Sequence, residues 1–218
     1  DHVRIHDVGD GLLLREFPYS HVKTVAFSPD GRWLAMTHGD RTILHATADW
    51  NQRREIVTAE WLTEALEFAP DSNAIATSDA DLCVNLWDVR SARRMRRSEP
   101  LSDLITALFY SPQGDRIGAV SKDGTAYILD ADTLETLLSL PIPSEWTFAG
   151  GFSPDGNRFV VGVEHVTQVF NAGPIEQWKR LNVQELREIV CGPLADSESE
   201  LSPRASPHAP YATEASAD

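Results

Sequence analysis

Cysteine is nearly absent from this chain: Cys83 and Cys191 are the only two in 218 residues. They stand far apart and without C-x-x-C spacing, which excludes a disulfide-built scaffold and points to a reduced, cytoplasmic protein. Lysine is almost as scarce (Lys23, Lys122 and Lys179), and Asp and Glu outnumber Lys and Arg 33 to 19, leaving a formal charge of −14. So acidic a chain is not a general binder of nucleic acid or anionic membrane, because phosphate attraction needs an excess of cations. No apolar run approaches the roughly 20 residues of a membrane-spanning helix. The signatures of a nucleophile elbow, a P-loop, a zinc protease and a kinase are all missing. Nor do the histidines converge: His2 and His6 share a strand face, but no third ligand is spaced to complete a zinc site. No metal, cofactor or catalytic residue is therefore expected. The opening, "DHVRIHDVGDG", carries neither an initiator methionine nor a signal-like segment and reads as cut from a longer protein.

What the chain does have is a repeated corner. "FSPDG" occurs at 27–31 and again at 152–156, with worn copies "FAPDS" at 68–72 and "YSPQG" at 110–114. Its prolines, Pro29, Pro70, Pro112 and Pro154, are 41, 42 and 42 residues apart. A fixed period of this size marks a repeat architecture. An apolar, partly alternating run precedes each corner ("VKTVAF", "LTEALEF", "LITALFY", "WTFAGGF") and a second follows ("RWLAMT", "NAIATS", "DRIGAVS", "NRFVVGV"). A third run ("RTILHA", "CVNLWDV", "TAYILDA", "VTQVFNA") and a weaker fourth close each unit. All are of strand length and separated by Gly, Pro, Asp and Asn. Each unit is predicted as four antiparallel strands. Its proline presets φ at the first position of a tight turn, and the glycine accepts the positive φ that follows. One such sheet cannot cover its own apolar faces, so the units must stack as blades, with the aromatic before each corner wedged against the next sheet.

The third runs make the resemblance specific. "ATSDADLCVNLWDV" at 76–89 resembles the third-strand signature of WD40 repeats, ending in Trp87 and Asp88. "AVSKDGTAYILDA" at 119–131 is similar, with Leu129 in the Trp position, as is "VRIHDV" at 3–8, with His6 there. The resemblance covers about residues 2–180 and implies an all-β, WD40-like β-propeller. It also implies that Asp40, Asp81 and Asp123 form tight turns before the third strand and help a buried hydrogen-bond network. The fourth unit has Glu164 and His165 there instead, and the family's Gly-His pair is absent throughout, so these are degenerate blades. Their expected bounds are a half-blade at 2–17 and blades at about 18–58, 59–100, 101–143 and 144–181, giving a propeller region of 1–181. Three accounts of four and a half blades stand open: the C-terminal part of a larger propeller, a five-blade ring, or an open arc that pairs with a second copy through its free edges. "LNVQELREIVCGP" predicts a short helix over 182–192, N-capped by Asn182 with Glu185 at the capping-box position. From 193 to 218 the Ser-, Ala-, Pro- and acid-rich composition predicts a disordered tail.

Two groups of residues are candidates for partner contact. His38, Asp40, Asp79, Asp81, Lys122, Asp123 and Glu164 fall on loops before third strands, which in WD40 proteins form a common binding face; they read as an acidic rim for a basic peptide or as ordinary turn residues. Arg90, Arg93, Arg94, Arg96 and Arg97, in "DVRSARRMRRSEP", read as a site for a phosphate, an acidic peptide or RNA, or as an outer-strand edge guarded by charge. The expected function is a non-catalytic scaffold that binds other proteins or peptides, with nucleic acid disfavoured. The alternative is a propeller enzyme or ligand-binding domain with a site in its central channel.

Overall fold

The computed structural model of the chain describes residues 2–57, 64–142, 147–163 and 166–173. All regular structure among these residues is β. The chain opens with a hairpin of β1 (Val3–His6) and β2 (Leu13–Phe17), the third and outer strands of the half-blade. The first full blade is β3 (Val25–Phe27), β4 (Trp33–His38), β5 (Arg41–Ala46) and β6 (Arg53–Val57). The second is β7 (Leu66–Phe68), β8 (Ala74–Ser78), β9 (Val84–Asp88) and β10 (Arg94–Arg97). The third is β11 (Ile105–Tyr110), β12 (Arg116–Ser121), β13 (Thr125–Asp130) and β14 (Thr136–Pro141). In the fourth, three strands are described: β15 (Thr147–Phe152), β16 (Arg158–Val163) and β17 (Val166–Asn171). Every sheet is a simple antiparallel meander in which each strand pairs with its sequence neighbours. The predicted helix at 182–192, the tail at 193–218, Glu164 and Cys191 lie outside the described residues.

The proline corners fold as their chemistry requires. Gly31, Gly114 and Gly156 take φ of 70°, 75° and 72°, and in the worn copy Ser72 is forced to 63°. In the first corner the Ser28 hydroxyl donates to Asp30 (2.6 Å) and accepts the Trp33 amide (2.9 Å), locking the turn from inside. Strand register then aligns the blades. Trp33, Ala74, Arg116 and Arg158 open the second strands opposite Ala46, Asp88, Asp130 and Asn171. Phe27, Phe68, Tyr110 and Phe152 close the first strands.

Burial is organised by seam. The half-blade's Phe17 packs with Leu34, Met36 and Ile43 of the first blade. Ala35, Leu44 and Ile56 meet Phe68, Ile75 and Trp87 across the next seam. Leu86 and Val84 meet Ile105, Ile117 and Leu129 across the third, and Phe109, Ile128 and Leu138 meet Phe159 and Phe170 across the fourth. Each fully buried aliphatic or aromatic side chain contributes about 1.5–3 kcal/mol, and every one of these clusters draws on two adjacent blades. Hydrogen bonds cross the seams as well: Thr24 Oγ1 donates to the Glu64 carbonyl (2.6 Å), and the Asp30 amide donates to Ser72 Oγ (3.0 Å).

The aromatics before the corners face the preceding sheet rather than the next one. Phe152 lies edge-on to Phe109, 5.5 Å between centroids, and Phe68 joins the core it shares with the first blade. Phe27 has only a two-stranded sheet before it and stays 55% exposed.

Candidate functional site

The antiparallel meander places the turns between second and third strands at one end of the blades and the proline corners at the other. At the first end, His38 and Arg41 close a two-residue hairpin whose Gly39 has φ of 62°. His38 Nδ1 donates to the Ser20 carbonyl at 2.7 Å, and Asp40 meets Arg41 Nε at 3.4 Å. Arg41 continues to Glu55 at 2.7 Å. In the second blade the buried carboxylate is Asp79. Its oxygens accept the Cys83 amide (2.9 Å), Asn85 Nδ2 (2.8 Å) and Arg97 Nη2 (3.3 Å). Asp81, two residues on, is exposed and accepts from the same Nη2 at 2.6 Å. In the third blade Asp123 accepts the Thr125 amide at 3.0 Å. Burial alone would raise its carboxyl, but hydrogen bonds from Ser102, Ser121 and Thr125 outweigh it and hold the group below its ordinary value. Lys122 beside it is exposed.

Two groups that look separate in the sequence thus meet in one cluster. Arg97 belongs to the outer strand β10 and Asp79 and Asp81 to the turn between the second and third strands, and the guanidinium bridges both carboxylates. Burial works against the Arg97 charge, but the Asp81 hydrogen bond and the Asp79 carboxylate overcome it and keep the group protonated. Arg94 lies over the Trp87 ring, 5.8 Å from its centroid. Arg90, Arg93 and Arg96 are exposed. Arg90 and Arg93 lie in the turn before β10 and Arg96 on β10 itself, which has a bulge between Arg94 and Arg96 and four exposed residues. The structure does not gather the turn residues of different blades into one pocket. His38, Asp79, Asp81 and Asp123 find these partners within their own blades.

Groups that might do chemistry are committed to the fold. The Ser28, Ser111 and Ser153 hydroxyls donate to Asp30, Asp115 and Asp155 within their own turns. Burial and the nearby Asp79 carboxylate push the Cys83 thiol up, away from thiolate reactivity. Among the described residues no group of three or more His, Cys, Asp or Glu is placed to hold a metal ion.

The sequence reading missed a second arginine pattern. Arg116, only 2% exposed, opens β12 and sends its guanidinium across the fourth seam. It donates to the carbonyls of Ala172, Gly173 (2.7 Å) and Gly156 (2.9 Å), and lies 5.2 Å from the Phe152 centroid. Arg54 does similar work across the second seam: it lies 4.2 Å from the Trp33 ring and donates to the Val89 carbonyl at 3.0 Å. Lining up the residue that follows each proline corner would have exposed the contrast of Trp33, Ala74, Arg116 and Arg158.

Comparison with known proteins agrees with this geometry. The family described as "WD domain, G-beta repeat" matches residues 11–45. That span covers β2 through nearly all of β5, so one sequence repeat straddles two sheets and ties each blade to its neighbour. Protein groucho of Drosophila melanogaster is 25% identical over 182 residues, covering 79% of this chain and 25% of that protein. Protein HIR1 of Yarrowia lipolytica is 23% identical over 189 residues, covering 70% and 18%. Periodic tryptophan protein 2 of Saccharomyces cerevisiae is 29% identical over 116 residues, covering 48% and 13%. The chain spans no more than a quarter of the length of these relatives.

Proposed function

We propose that this chain, a WD40-repeat protein, acts as a non-catalytic protein–protein interaction scaffold, presenting its turns and the outer edge of its second blade to protein partners. The observation that carries the reading is β10 with the turn that leads into it. The turn serines and the Cys83 thiol are held inside the fold. Arg90 and Arg93 of the turn and Arg96 of the outer strand are exposed, on an otherwise acidic protein. A partner with an acidic segment is matched to that strip by charge, which speeds encounter and selects orientation. A cytoplasmic location belongs to the same proposal and is supported by the free, buried thiol of Cys83.

The test is cross-linking and co-purification with the full-length protein in its own cells, wild type against Arg90→Glu/Arg93→Glu/Arg96→Glu. A partner recovered in stoichiometric amount with the wild type and lost with the variant supports the reading. Unchanged recovery removes β10 as the contact. Turnover by the purified chain, abolished by a single substitution without unfolding, would replace the scaffold with an enzyme.

A further inference from the structure

The seams repeat the same backbone, so the same carbonyls recur on the side that each blade turns toward the one before it. Ala131 of the third blade stands where Val89 stands in the second and Ala172 in the fourth: each amide donates to the carbonyl of the residue just before its blade's second strand, Asp115, Asn73 and Asn157 respectively. Gly114 likewise matches Gly156, each donating its amide back to the serine of its corner. At the second seam the Val89 carbonyl accepts Arg54, and at the fourth the Ala172 and Gly156 carbonyls accept Arg116. At the third seam the residue in the Arg116 position is Ala74, which has nothing to donate. Among the described residues, neither the Ala131 nor the Gly114 carbonyl accepts a hydrogen bond. A cleft of about 560 Å³ opens there, with Ala74, Ala131 and Gly114 in its lining.

Other features of the cleft match a cation. Tyr110 occupies the register position of Phe152, the ring over which the Arg116 guanidinium lies. Asp71 and Asp132 line the opening; Asp71 already accepts two bonds from Asn73, while the Asp132 carboxylate has no protein partner among the described residues. Burial pushes the Tyr110 hydroxyl up, and the Asp71, Glu67 and Asp132 carboxylates add to the shift, which reports a negative local field. Arg96 matches Arg54 in register and also lines the cleft, but it is exposed and its Nη1 donates to the neighbouring Met95 carbonyl at 2.9 Å. The difference is the platform. Arg54 rests on Trp33, whereas Ala74 offers Arg96 no ring to lie on.

We propose that the cleft between the second and third blades is a slot for an arginine side chain supplied by a protein partner. The guest guanidinium reproduces the contacts that Arg116 makes one seam along: fork-like donation to main-chain carbonyls, a ring beneath, and a carboxylate at the rim. Lysine fits less well, since a compact ammonium cannot reach two carbonyls and stack on a ring at once. The slot lies at the proline-corner end of the blades, away from the turns between second and third strands. It deepens the scaffold reading by naming a partner chemistry, and it rests on that reading for the guest's being a protein.

The probe is N-acetyl-L-arginine methylamide, titrated into the full 218-residue chain and followed by amide chemical shifts. The expected result is saturable shifts centred on Gly114, Ala131 and Asp132, with the uncharged citrulline counterpart about tenfold weaker or worse, since charge-assisted bonds are roughly twice as strong as neutral ones. Asp132→Asn weakens binding about threefold or more through the lost attraction. Arg96→Ala strengthens it by removing a like charge. Ala74→Arg fills the slot from within, abolishing the shifts and raising the unfolding temperature; should that variant not fold, the Asp132→Asn and citrulline arms still decide. Absence of saturable shifts in the wild type overturns the proposal, as does equal binding of citrulline. Binding that emerges only in Arg96→Ala overturns it too, because Arg96 would then be the resident guest. A failed titration leaves the scaffold test untouched, and a lost partner there says nothing about these amides.

Discussion

Replacing Arg116 by alanine tests whether seams, rather than sheets, hold this fold together. In the native protein the buried guanidinium serves three carbonyls of the fourth blade and lies over Phe152. Alanine strands those carbonyls, and two of them belong to residues shut away from solvent, Ala172 and Gly156. A buried acceptor left without a donor costs about 1–3 kcal/mol, and the lost ring contact adds about 0.5–2 kcal/mol. Against this, a buried charge no longer has to be desolvated. The balance is a loss of about 2–4 kcal/mol, less than the summed costs because the buried charge leaves with the side chain, out of a typical total of about 5–15 kcal/mol. Arg116→Lys should recover part of it, because an ammonium satisfies a carbonyl but cannot fork across three. The assay is urea unfolding together with amide hydrogen exchange resolved by blade. Protection should fall first in β15 to β17 while β4 and β5 keep theirs. A loss below about 1 kcal/mol, less than a single stranded carbonyl costs, would refute the reasoning. So would protection that falls evenly across the chain.

Three other substitutions probe different parts of the same construction. Ser72 carries a positive φ that glycine accepts freely, yet its hydroxyl also accepts the Asp30 amide; Ser72→Gly should therefore be close to neutral and about 1 kcal/mol more stable than Ser72→Ala, which loses the bond and keeps the strain, as read from urea midpoints. A methyl on Gly118 would stand 2.0 Å from a carbon of the Phe109 ring, so Gly118→Ala should cost about 1–3 kcal/mol by overpacking and broaden the Phe109 ring resonances. Glu67 is raised by burial to about 7 from 4.5, so the folded state favours its neutral form and loses stability as pH climbs from 4.5 through 7. Glu67→Gln should thus match the wild type near pH 4 and exceed it by about 2–3 kcal/mol above pH 8. Thermal unfolding across that range checks the sign, and a gain that grows toward acid would refute it.

The blades were legible because their cause is local. A proline, a residue that tolerates positive φ and alternating apolar runs specify each hairpin without reference to anything distant, and they recur every 41 or 42 residues. What the sequence hid is relational. Asp81 holds the motif position, yet Asp79 is the carboxylate that enters the core, because Asn85 and the Cys83 amide lie within its reach. Which sheet an aromatic faces is decided by partners in another blade, as Phe109 is for Phe152. Whether a seam is filled depends on one side chain in one blade and carbonyls of the next: Arg116 is 40, 56 and 57 residues from its acceptors.

This division between local and relational also explains how a degenerate repeat stays folded while its seams diverge. The hairpins tolerate little change, since every blade needs its corner and its buried strands. The position after the corner is under no such constraint, and it holds tryptophan, alanine and arginine in the first three blades. Each choice alters the local electrostatics without disturbing the sheet. Arg54 and Arg116 turn their charge inward onto carbonyls of the next blade, so the solvent meets a surface more acidic than the formal charge of −14 suggests. Against that background Arg90, Arg93 and Arg96, exposed on the turn before β10 and on β10 itself, form a basic strip, and beside it the third seam is a cleft rimmed by Asp71 and Asp132. A partner that met both would need an acidic segment for the strip and a guanidinium for the cleft. Opposite charges set side by side in this way favour one docking orientation over its reverse.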